Sequence, residues 1–352
     1  MGRGNTHPLV QELYERFGRA VDIAGGVAVR RFRIGGRGVE LRFAGDRLLE
    51  LLTPPLDHLA ADDVPDHPFT VRVWDSASTG IEPPAPWWTV QDYGPRGDIR
   101  YDLGSPIRAS YSIDAGMLTL FDAATGEGMC WVRDPDKLPA WDLAAPLRTL
   151  FAWWASATDG QLAHGAAVGE RGVAVLLTAA GGSGKSTTAL RCLDAGLSYL
   201  GDDYVMLRFG TPPMVCSLYN TAKLTPHHLR RALPHFDALV VRDSSSLQDK
   251  VTLRLHDSHA SQLVPMLPLG AILITGIAPD GRTTVVPTSG SEVLKAVVPS
   301  TIFQLPGAGA PEFARLAEIV RRVSCFQLLV GADSTANVRA IRRVIRECAP
   351  QG

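Results

Sequence analysis

The chain has 352 residues, of which 45% are hydrophobic and 20% are charged. Such a composition is typical of a globular protein with a buried core, and the length predicts one large or two medium domains. The formal net charge of -1 excludes the broad positive field on which nucleic-acid and membrane-surface binding usually depend.

The five cysteines are widely spaced and show neither CxxC nor the Cys/His spacing of a zinc site. This pattern indicates a reducing compartment and no structural zinc. The N-terminus lacks the order of a signal peptide, and no apolar run approaches the roughly 18 residues of a membrane span. We therefore expect a cytoplasmic protein with neither a membrane nor a nucleic-acid partner, and homo-oligomerisation stays open.

The region from residue 1 to about residue 145 is rich in short segments that alternate apolar and polar residues. Examples are "VAVRRFRIG", "GVELRFAG" and "FTVRVWD", which are separated by Pro-rich turns. This period of two predicts an antiparallel sheet. We expect a β-rich N-terminal domain over residues 1–145, for which binding of a substrate or a leader peptide is a candidate role.

The sequence pattern changes after "DLAAPLRTLFAWWASATDG", a segment whose apolar residues have helical spacing. Strands and helices then alternate in the order of an α/β domain, over residues 146–352. The predicted elements are a strand at 173–178, a helix closed by Gly196, strands in "LSYLGDDYVML", "VTLRL" and "AILITGI", a helix in "PEFARLAEIVRRV", a strand in "CFQLLVG" and a helix from Ser334. In such a domain the site lies at the carboxyl ends of the strands.

The segment "AAGGSGKSTTAL", residues 179–190, follows the predicted strand directly. It resembles the phosphate-binding loop G-x-x-x-x-G-K-[ST], in which backbone N–H groups and a Lys bind phosphates and a hydroxyl binds Mg²⁺. Ala179 replaces the first glycine, but the later glycines keep the loop's backbone freedom. We expect ATP and Mg²⁺ at Ala180, Gly181, Gly182, Ser183, Gly184, Lys185, Ser186 and Thr187, with Thr188 also near the α-phosphate.

Two adjacent carboxylates, Asp202 and Asp203, lie at the boundary of an apolar segment in "GDDYVML". Neighbouring strand residues point to opposite faces, but at a strand's end or in a bulge both reach one site. Mutual repulsion raises the pKa of one carboxyl, which suits a proton acceptor beside a metal ligand. Upstream, we expect His164 to open an apolar strand. Taken alone, these residues also fit a solvated turn and an ordinary core histidine.

Together, His164-Gly165, the Gly184-Lys185-Ser186 loop and the Asp202-Asp203 pair resemble the HPr kinase/phosphorylase family over residues 160 to 208. The resemblance implies a C-terminal P-loop core with a mixed sheet, related to phosphoenolpyruvate carboxykinase. It further implies that Lys185 holds the transferring phosphate and that Ser186 and Asp202 bind Mg²⁺. Asp203 would then accept the proton of a serine hydroxyl, and His164 would orient Asp203.

The family's Glu- and Arg-rich signature after the Asp-Asp strand has no counterpart here, so we do not expect phosphorolysis of a phosphoserine. Lys223 and Lys250 are candidates for the missing positive charge, or are surface lysines. The shortened core and the unrelated N-terminal region resemble the HPr-kinase-like enzymes found beside lasso-peptide precursors. This implies a kinase for a serine of a peptide or small protein. A small-molecule kinase and a nucleotide-binding regulatory protein are the alternatives.

Overall fold

The computed structural model describes residues 7–65, 67–100, 107–179, 182–242 and 250–349. Contacts divide the chain into two units. The first comprises Met1–Pro54, Ala60–Ala157 and Leu305–Gly307, and the second Pro55–Leu59, Thr158–Gln304 and Ala308–Gly352. None of the described helices is both long enough and apolar enough to cross a membrane.

The first unit contains a sheet and several helices. The helices are α1 (Pro8–Ala24), α2 (Arg47–Leu52), α3 (Ser76–Thr79), α4 (Ala140–Ala144) and α5 (Arg148–Ala157). The strands are β1 (Val27–Ile34), β2 (Arg37–Ala44), β3 (Phe69–Asp75), β4 (Asp98–Ile99), β5 (Ile107–Ser112), β6 (Met117–Asp122) and β7 (Glu127–Val132). Because α5 lies in this unit, the division falls after Ala157 rather than at the predicted position after residue 145.

The sheet of the first unit has the order β1-β2-β3-β7-β6-β5-β4. The β-rich character is as predicted, but the wholly antiparallel arrangement is wrong, because β3 runs parallel to both β2 and β7. Side chains alternate between faces in parallel and antiparallel strands alike, so the sequence pattern does not distinguish them. One face of α1 packs its apolar residues into a core with Trp74 and Trp131.

The second unit contains the phosphate-loop motif. Its helices are α6 (Lys185–Asp194), α7 (Pro226–Ala232), α8 (His256–His259), α9 (Gly290–Thr301), α10 (Ala310–Arg322) and α11 (Ser334–Cys348). Its strands are β8 (Gly160–His164), β9 (Ala166–Glu170), β10 (Val173–Thr178), β11 (Ser198–Gly201), β12 (Tyr204–Arg208), β13 (Met214–Cys216), β14 (Thr221–Leu224), β15 (Val240–Arg242), β16 (Val251–Arg254), β17 (Met266–Ile277), β18 (Thr284–Pro287) and β19 (Ser324–Val330).

The main sheet of this unit is mixed, and the protein is α/β as predicted. Its order is β11-β9-β10-β17-β13-β12-β8, β19 also pairs with β17, and β18 pairs with β19. Strands β10, β17 and β19 are parallel, whereas β9 and β13 run antiparallel to their neighbours. Strands β14, β16 and β15 form a separate small sheet.

Strand β10 is buried along its whole length, because helices cover both faces of the sheet. Its odd-numbered residues contact a core that includes residues of α6 and α11. Its even-numbered residues Ala174 and Leu176 contact a core that includes residues of α9 and α10. A strand covered on both faces has to be a continuous apolar run, which explains the sequence "VAVLLT".

Two predicted boundaries near the site are wrong. The segment "LSYLGDDYVML" is not one strand, because Asp202 and Asp203 form the junction between β11 and β12. His164 is the last residue of β8 and does not open a strand. The predicted stop of α6 is close to the observed one, since Ala195 is the C-cap and Gly196 follows with a left-handed φ of 89°.

His58, in the 55–59 segment of the second unit, makes the stability of this unit depend on pH. Its Nε2 lies 2.6 Å from the Ser217 hydroxyl oxygen. Burial, with a smaller contribution from His256, lowers the pKa of His58 from 6.5 to about 3. The folded protein therefore holds a neutral histidine at pH values where the unfolded chain binds a proton.

We expect the stability of this unit to be full above pH 6.5 and to fall as the pH decreases from 6.5 towards 3. The loss from this group is about 1.4 kcal/mol per pH unit, or about 2 kcal/mol at pH 5. Urea denaturation at pH 7 and pH 5 measures it. His58→Gln should show a smaller difference between the two pH values, and the exposed His227→Gln should behave as the unaltered protein does. If the pH dependence of stability in His58→Gln is the same as in the unaltered protein, a group other than His58 causes it.

Candidate functional site

The phosphate loop connects β10 to α6, as the sequence predicts. Gly182 and Gly184 have left-handed φ angles of 80° and 86°, a conformation that glycine adopts without steric cost. Gly184 is the N-cap of α6, so the N-terminal N–H groups and the positive end of the helix dipole are at the loop. Ala180 and Gly181, two predicted nucleotide-binding residues, lie outside the described residues.

Lys185, the first residue of α6, is directed back towards the loop. Its Nζ donates a hydrogen bond to the carbonyl oxygen of Ala179, at 2.8 Å. The residue is only 8% exposed, and this burial lowers the pKa of its ammonium group, although Asp202 and Asp203 oppose the shift. The Lys185 side chain therefore lies beside the loop and is largely shielded from water.

Asp202 is bound to the first turn of α6. The Ser186 hydroxyl donates to Asp202 Oδ1 at 2.9 Å, and the backbone N–H of Lys223 donates to Asp202 Oδ2 at 3.2 Å. The residue is 2% exposed. Burial is the main cause of the raised pKa of Asp202, the charge of Asp203 adds to it, and the two hydrogen bonds oppose it.

Asp203 lies beside two basic side chains. Its Oδ1 is 3.3 Å from His164 Nε2, and its Oδ2 is 2.5 Å from Lys223 Nζ. Burial opposes ionisation of Asp203, but the hydrogen bond from His164 and the charge of Lys223 are stronger in sum, and its pKa lies well below 3.8. The carboxyl with the raised pKa is therefore that of Asp202. The expectation that the raised pKa would be that of the proton acceptor, Asp203, is wrong.

The backbone at Asp203 has a φ of 68°. Asp and Asn adopt this left-handed region more readily than other side chains do. The conformation turns the chain between β11 and β12, so that two adjacent carboxylates point into one site. Such unusual backbone conformations are concentrated at functional sites.

His164 reaches Asp203 through strand pairing. Strands β8 and β12 are antiparallel with His164 opposite Tyr204, and the N–H of Gly165 donates to the carbonyl of Asp203 at 3.1 Å. The N–H of His164 donates to the Thr301 hydroxyl at 2.9 Å. The imidazole also packs near the Tyr204 ring, with 5.5 Å between centroids. Thr301 has no local sequence signal, since it is remote from the motif along the chain.

The loop, both aspartates, His164 and Lys223 line one cleft of about 360 Å³. This volume lies within the usual range of small-molecule sites, about 300–1,000 Å³. Part of the lining comes from the end of β19, the start of α11 and the residues between them, and it includes Gly331 and Asn337. Sequence reasoning missed this part of the lining, which has no recognisable motif. The predicted site residues that line the cleft are His164, Gly182, Ser183, Gly184, Lys185, Ser186, Thr187, Asp202, Asp203 and Lys223, and Thr188 and Lys250 also line it.

The donor set suits Mg²⁺ bound together with phosphates. The Ser186 hydroxyl and the Asp202 carboxylate are adjacent oxygen donors, and Mg²⁺ usually takes one or two protein ligands besides waters and substrate phosphates. A side chain at Gly182 would meet no atom within 4 Å, so the space beside the loop is open. In the described part of the chain, no three or more His, Cys, Asp or Glu side chains gather into a metal site.

No protein-family model matches the chain, and no curated protein matches it. Among solved structures it is similar to the HPr(Ser) kinase/phosphatase from Coxiella burnetii, with 10% sequence identity and a TM-score of 0.31. The similarity covers 53% of this chain and 97% of the other. A similarity this low shows neither the family nor the activity of this chain.

Proposed function

We propose that the protein is an ATP- and Mg²⁺-dependent kinase that transfers the γ-phosphoryl group to a serine hydroxyl of a peptide or small protein. The observation that carries this proposal is the convergence of three groups in one cleft. These are a lysine at a phosphate loop, an aspartate hydrogen-bonded to the loop serine, and a second aspartate between two basic side chains.

Each residue has a distinct role in this proposal. Ser186 and Asp202 hold Mg²⁺, which when bound offsets the negative charge of the phosphate oxygens. Lys185 and the N–H groups of α6 stabilise the negative charge that develops on the transferring group. Of the two aspartates, Asp203 is the more exposed to the cleft, since its side chain is 22% exposed. Asp203 therefore contacts the acceptor.

In the reaction, Asp203 removes the proton from the serine hydroxyl as the serine oxygen forms a bond to the γ-phosphorus. The bond between that phosphorus and the β–γ bridging oxygen breaks, and ADP leaves with the electron pair. His164 and Lys223 keep Asp203 ionised and fix the direction of its two oxygens. In phosphoryl transfer such positioning and charge stabilisation account for most of the catalysis.

For the acceptor, we propose the precursor of a ribosomally made peptide, in particular a lasso-peptide precursor. The support for this is the sequence resemblance together with the presence of a β-rich first unit. The first unit would then recognise the leader segment of the precursor.

Incubation with ATP·Mg²⁺ and the peptides encoded by neighbouring genes, followed by mass spectrometry, tests the proposal. We expect one phosphate on a serine of one of these peptides. Phosphorylation of free amino acids or sugar alcohols instead would identify a small-molecule kinase. Thermal stabilisation by ATP without consumption of ATP in the presence of any acceptor would identify a nucleotide-binding regulatory protein.

A further inference from the structure

A second cavity, of about 570 Å³, lies on the second unit between β18 and α11. The proposed reaction leaves its residues without a role. Arginines from α11 line one side and the 283–286 segment lines the other. We call this cavity the arginine groove. Arg339, Arg343 and Arg346 line it together with the small side chains of Ala336 and Ala340.

The three arginines project from one face of α11. Their positions follow the i, i+4, i+7 pattern, which places side chains on one side of a helix. With a rise of 1.5 Å per residue they span roughly 10 Å along the axis. An extended chain advances roughly 6.6 Å every two residues, close to the roughly 6 Å between Arg339 and Arg343 along the helix. Acidic side chains at alternate positions of an extended peptide therefore match the spacing of Arg339 and Arg343.

The groove has an unbalanced positive charge. No carboxylate lines it among the described residues. Asp333 and Glu347 lie 3.7 Å from Arg339 and Arg343, respectively, in pairs that are exposed on both sides. Exposed pairs of this kind contribute little and exchange readily for other partners. Arg346 forms no ion pair with any residue in the described ranges.

The opposite side of the groove is an edge strand. In the part of the chain that the structure describes, β18 pairs with β19 alone. The outer N–H and C=O groups of an edge strand can pair with an added extended chain. Val286 is 47% exposed and offers an apolar contact beside them. Backbone pairing and arginine pairing therefore favour the same ligand, an extended acidic peptide.

The arginine groove adjoins the catalytic cleft. Thr283 lines the groove, and its hydroxyl donates to Asn337 Oδ1 at 2.6 Å. Asn337 lines the cleft that contains Lys185 and Asp203. A peptide that follows the groove past Thr283 would therefore approach the cleft.

We infer that the arginine groove binds an extended peptide segment with carboxylates at alternate positions, and that this segment belongs to the phosphate acceptor. The second half of this inference rests on the proposed kinase function, whereas the first half does not. A polynucleotide is the less suitable ligand, because the whole chain has a net charge of -1 and lacks the broad positive field of such binders.

The probe is a fluorescein-labelled nine-residue peptide with Asp at alternate positions and Ser between, compared with its Asn counterpart by anisotropy and without nucleotide. We expect Arg343→Gln/Arg346→Gln to weaken binding of the Asp peptide at least 10-fold and to reduce its salt dependence. The matched control is Arg171→Gln/Arg321→Gln, which removes the same charge at exposed sites outside both cavities. It should bind as the unaltered protein does.

Several results would overturn the inference. These are the absence of binding to the unaltered protein, equal binding of the Asn peptide, or equal loss in the control variant. Tighter binding of a single-stranded RNA oligonucleotide at the same arginines would identify a nucleic-acid site. Loss of self-association in the groove variant, seen by sedimentation, would identify a contact between copies of the chain.

A kinase assay separates the two proposals. If both hold, the groove variant should raise KM for an acidic acceptor peptide several-fold and leave the affinity for ATP unchanged. If peptide binding depends on the groove but no peptide is phosphorylated, the proposal of a peptide-binding groove holds and the proposed kinase function is wrong. Transfer that is indifferent to the groove variant would leave the kinase proposal intact and overturn the second half of the inference, that the bound segment belongs to the phosphate acceptor.

Discussion

Replacing Lys185 with alanine should lower phosphoryl transfer by about 10²-fold or more, the usual effect of removing one charge contact from a transition state. The Lys185 side chain lies beside the loop, where its Nζ donates a hydrogen bond to the Ala179 carbonyl oxygen, and the residue is 8% exposed. In such a water-poor position its charge interacts strongly with phosphate oxygens. Initial rates of acceptor phosphorylation at saturating ATP measure the effect.

Lys295→Ala is the matched control for this variant, since Lys295 is an exposed lysine on α9 that is paired with Glu292. It should retain full activity. Circular dichroism and thermal unfolding of both variants separate loss of catalysis from loss of fold. Undiminished transfer by a folded Lys185→Ala protein would remove the loop from the mechanism.

Replacing Asp203 with asparagine should abolish detectable transfer while leaving ATP binding nearly intact. A positioned general base contributes typically 10²–10⁴-fold, and the amide cannot accept the hydroxyl proton. Asparagine also tolerates the left-handed backbone at this position, where φ is 68°, so the turn between β11 and β12 should survive. Calorimetric titration with ATP·Mg²⁺ and the rate of transfer measure the two effects.

The comparison with Asp202→Asn makes this test specific. Asp202 contacts the loop serine, so its substitution should weaken Mg²⁺-dependent nucleotide binding as well as transfer. Asp203→Asn should leave the binding step unaffected, and the exposed Asp237→Asn should change neither. Equal losses of binding and transfer in Asp203→Asn would show that Asp203 is not the base.

Much of the site could be predicted because its signals are local. The loop from β10 to α6 has a short motif with a known mechanism, and Lys185 and Ser186 lie where that motif implies. The Asp-Asp pair was predicted to reach one site from a strand's end or a bulge, and both residues line one cleft from the junction of β11 and β12. The wrong expectation concerned which carboxyl has the raised pKa, since that depends on His164 and Lys223, which are distant in sequence.

In the first unit too, the sequence predicted local structure but not the contacts between distant segments. Alternating residues predicted β1, β2 and β3 correctly, but strand direction depends on connections and partners, so the parallel pairing of β3 with β2 and β7 was missed. The arginine groove is a further example. Arg339 and Arg343 have helical spacing that is visible in the sequence, but only the packing of α11 beside β18 makes a groove of them.

The sequence by itself determined the α/β class of the second unit, the phosphate loop and the candidate residues around it. These follow from periodicity and from motifs whose chemistry operates within a few residues. Tertiary structure alone decided which residues meet in one cleft. It brings His164 and Lys223 to Asp203, and it places the end of β19 and the start of α11 in the same cleft as Lys185. Strand pairing and burial set these distances and protonation states, and both depend on parts of the chain that are far apart in sequence.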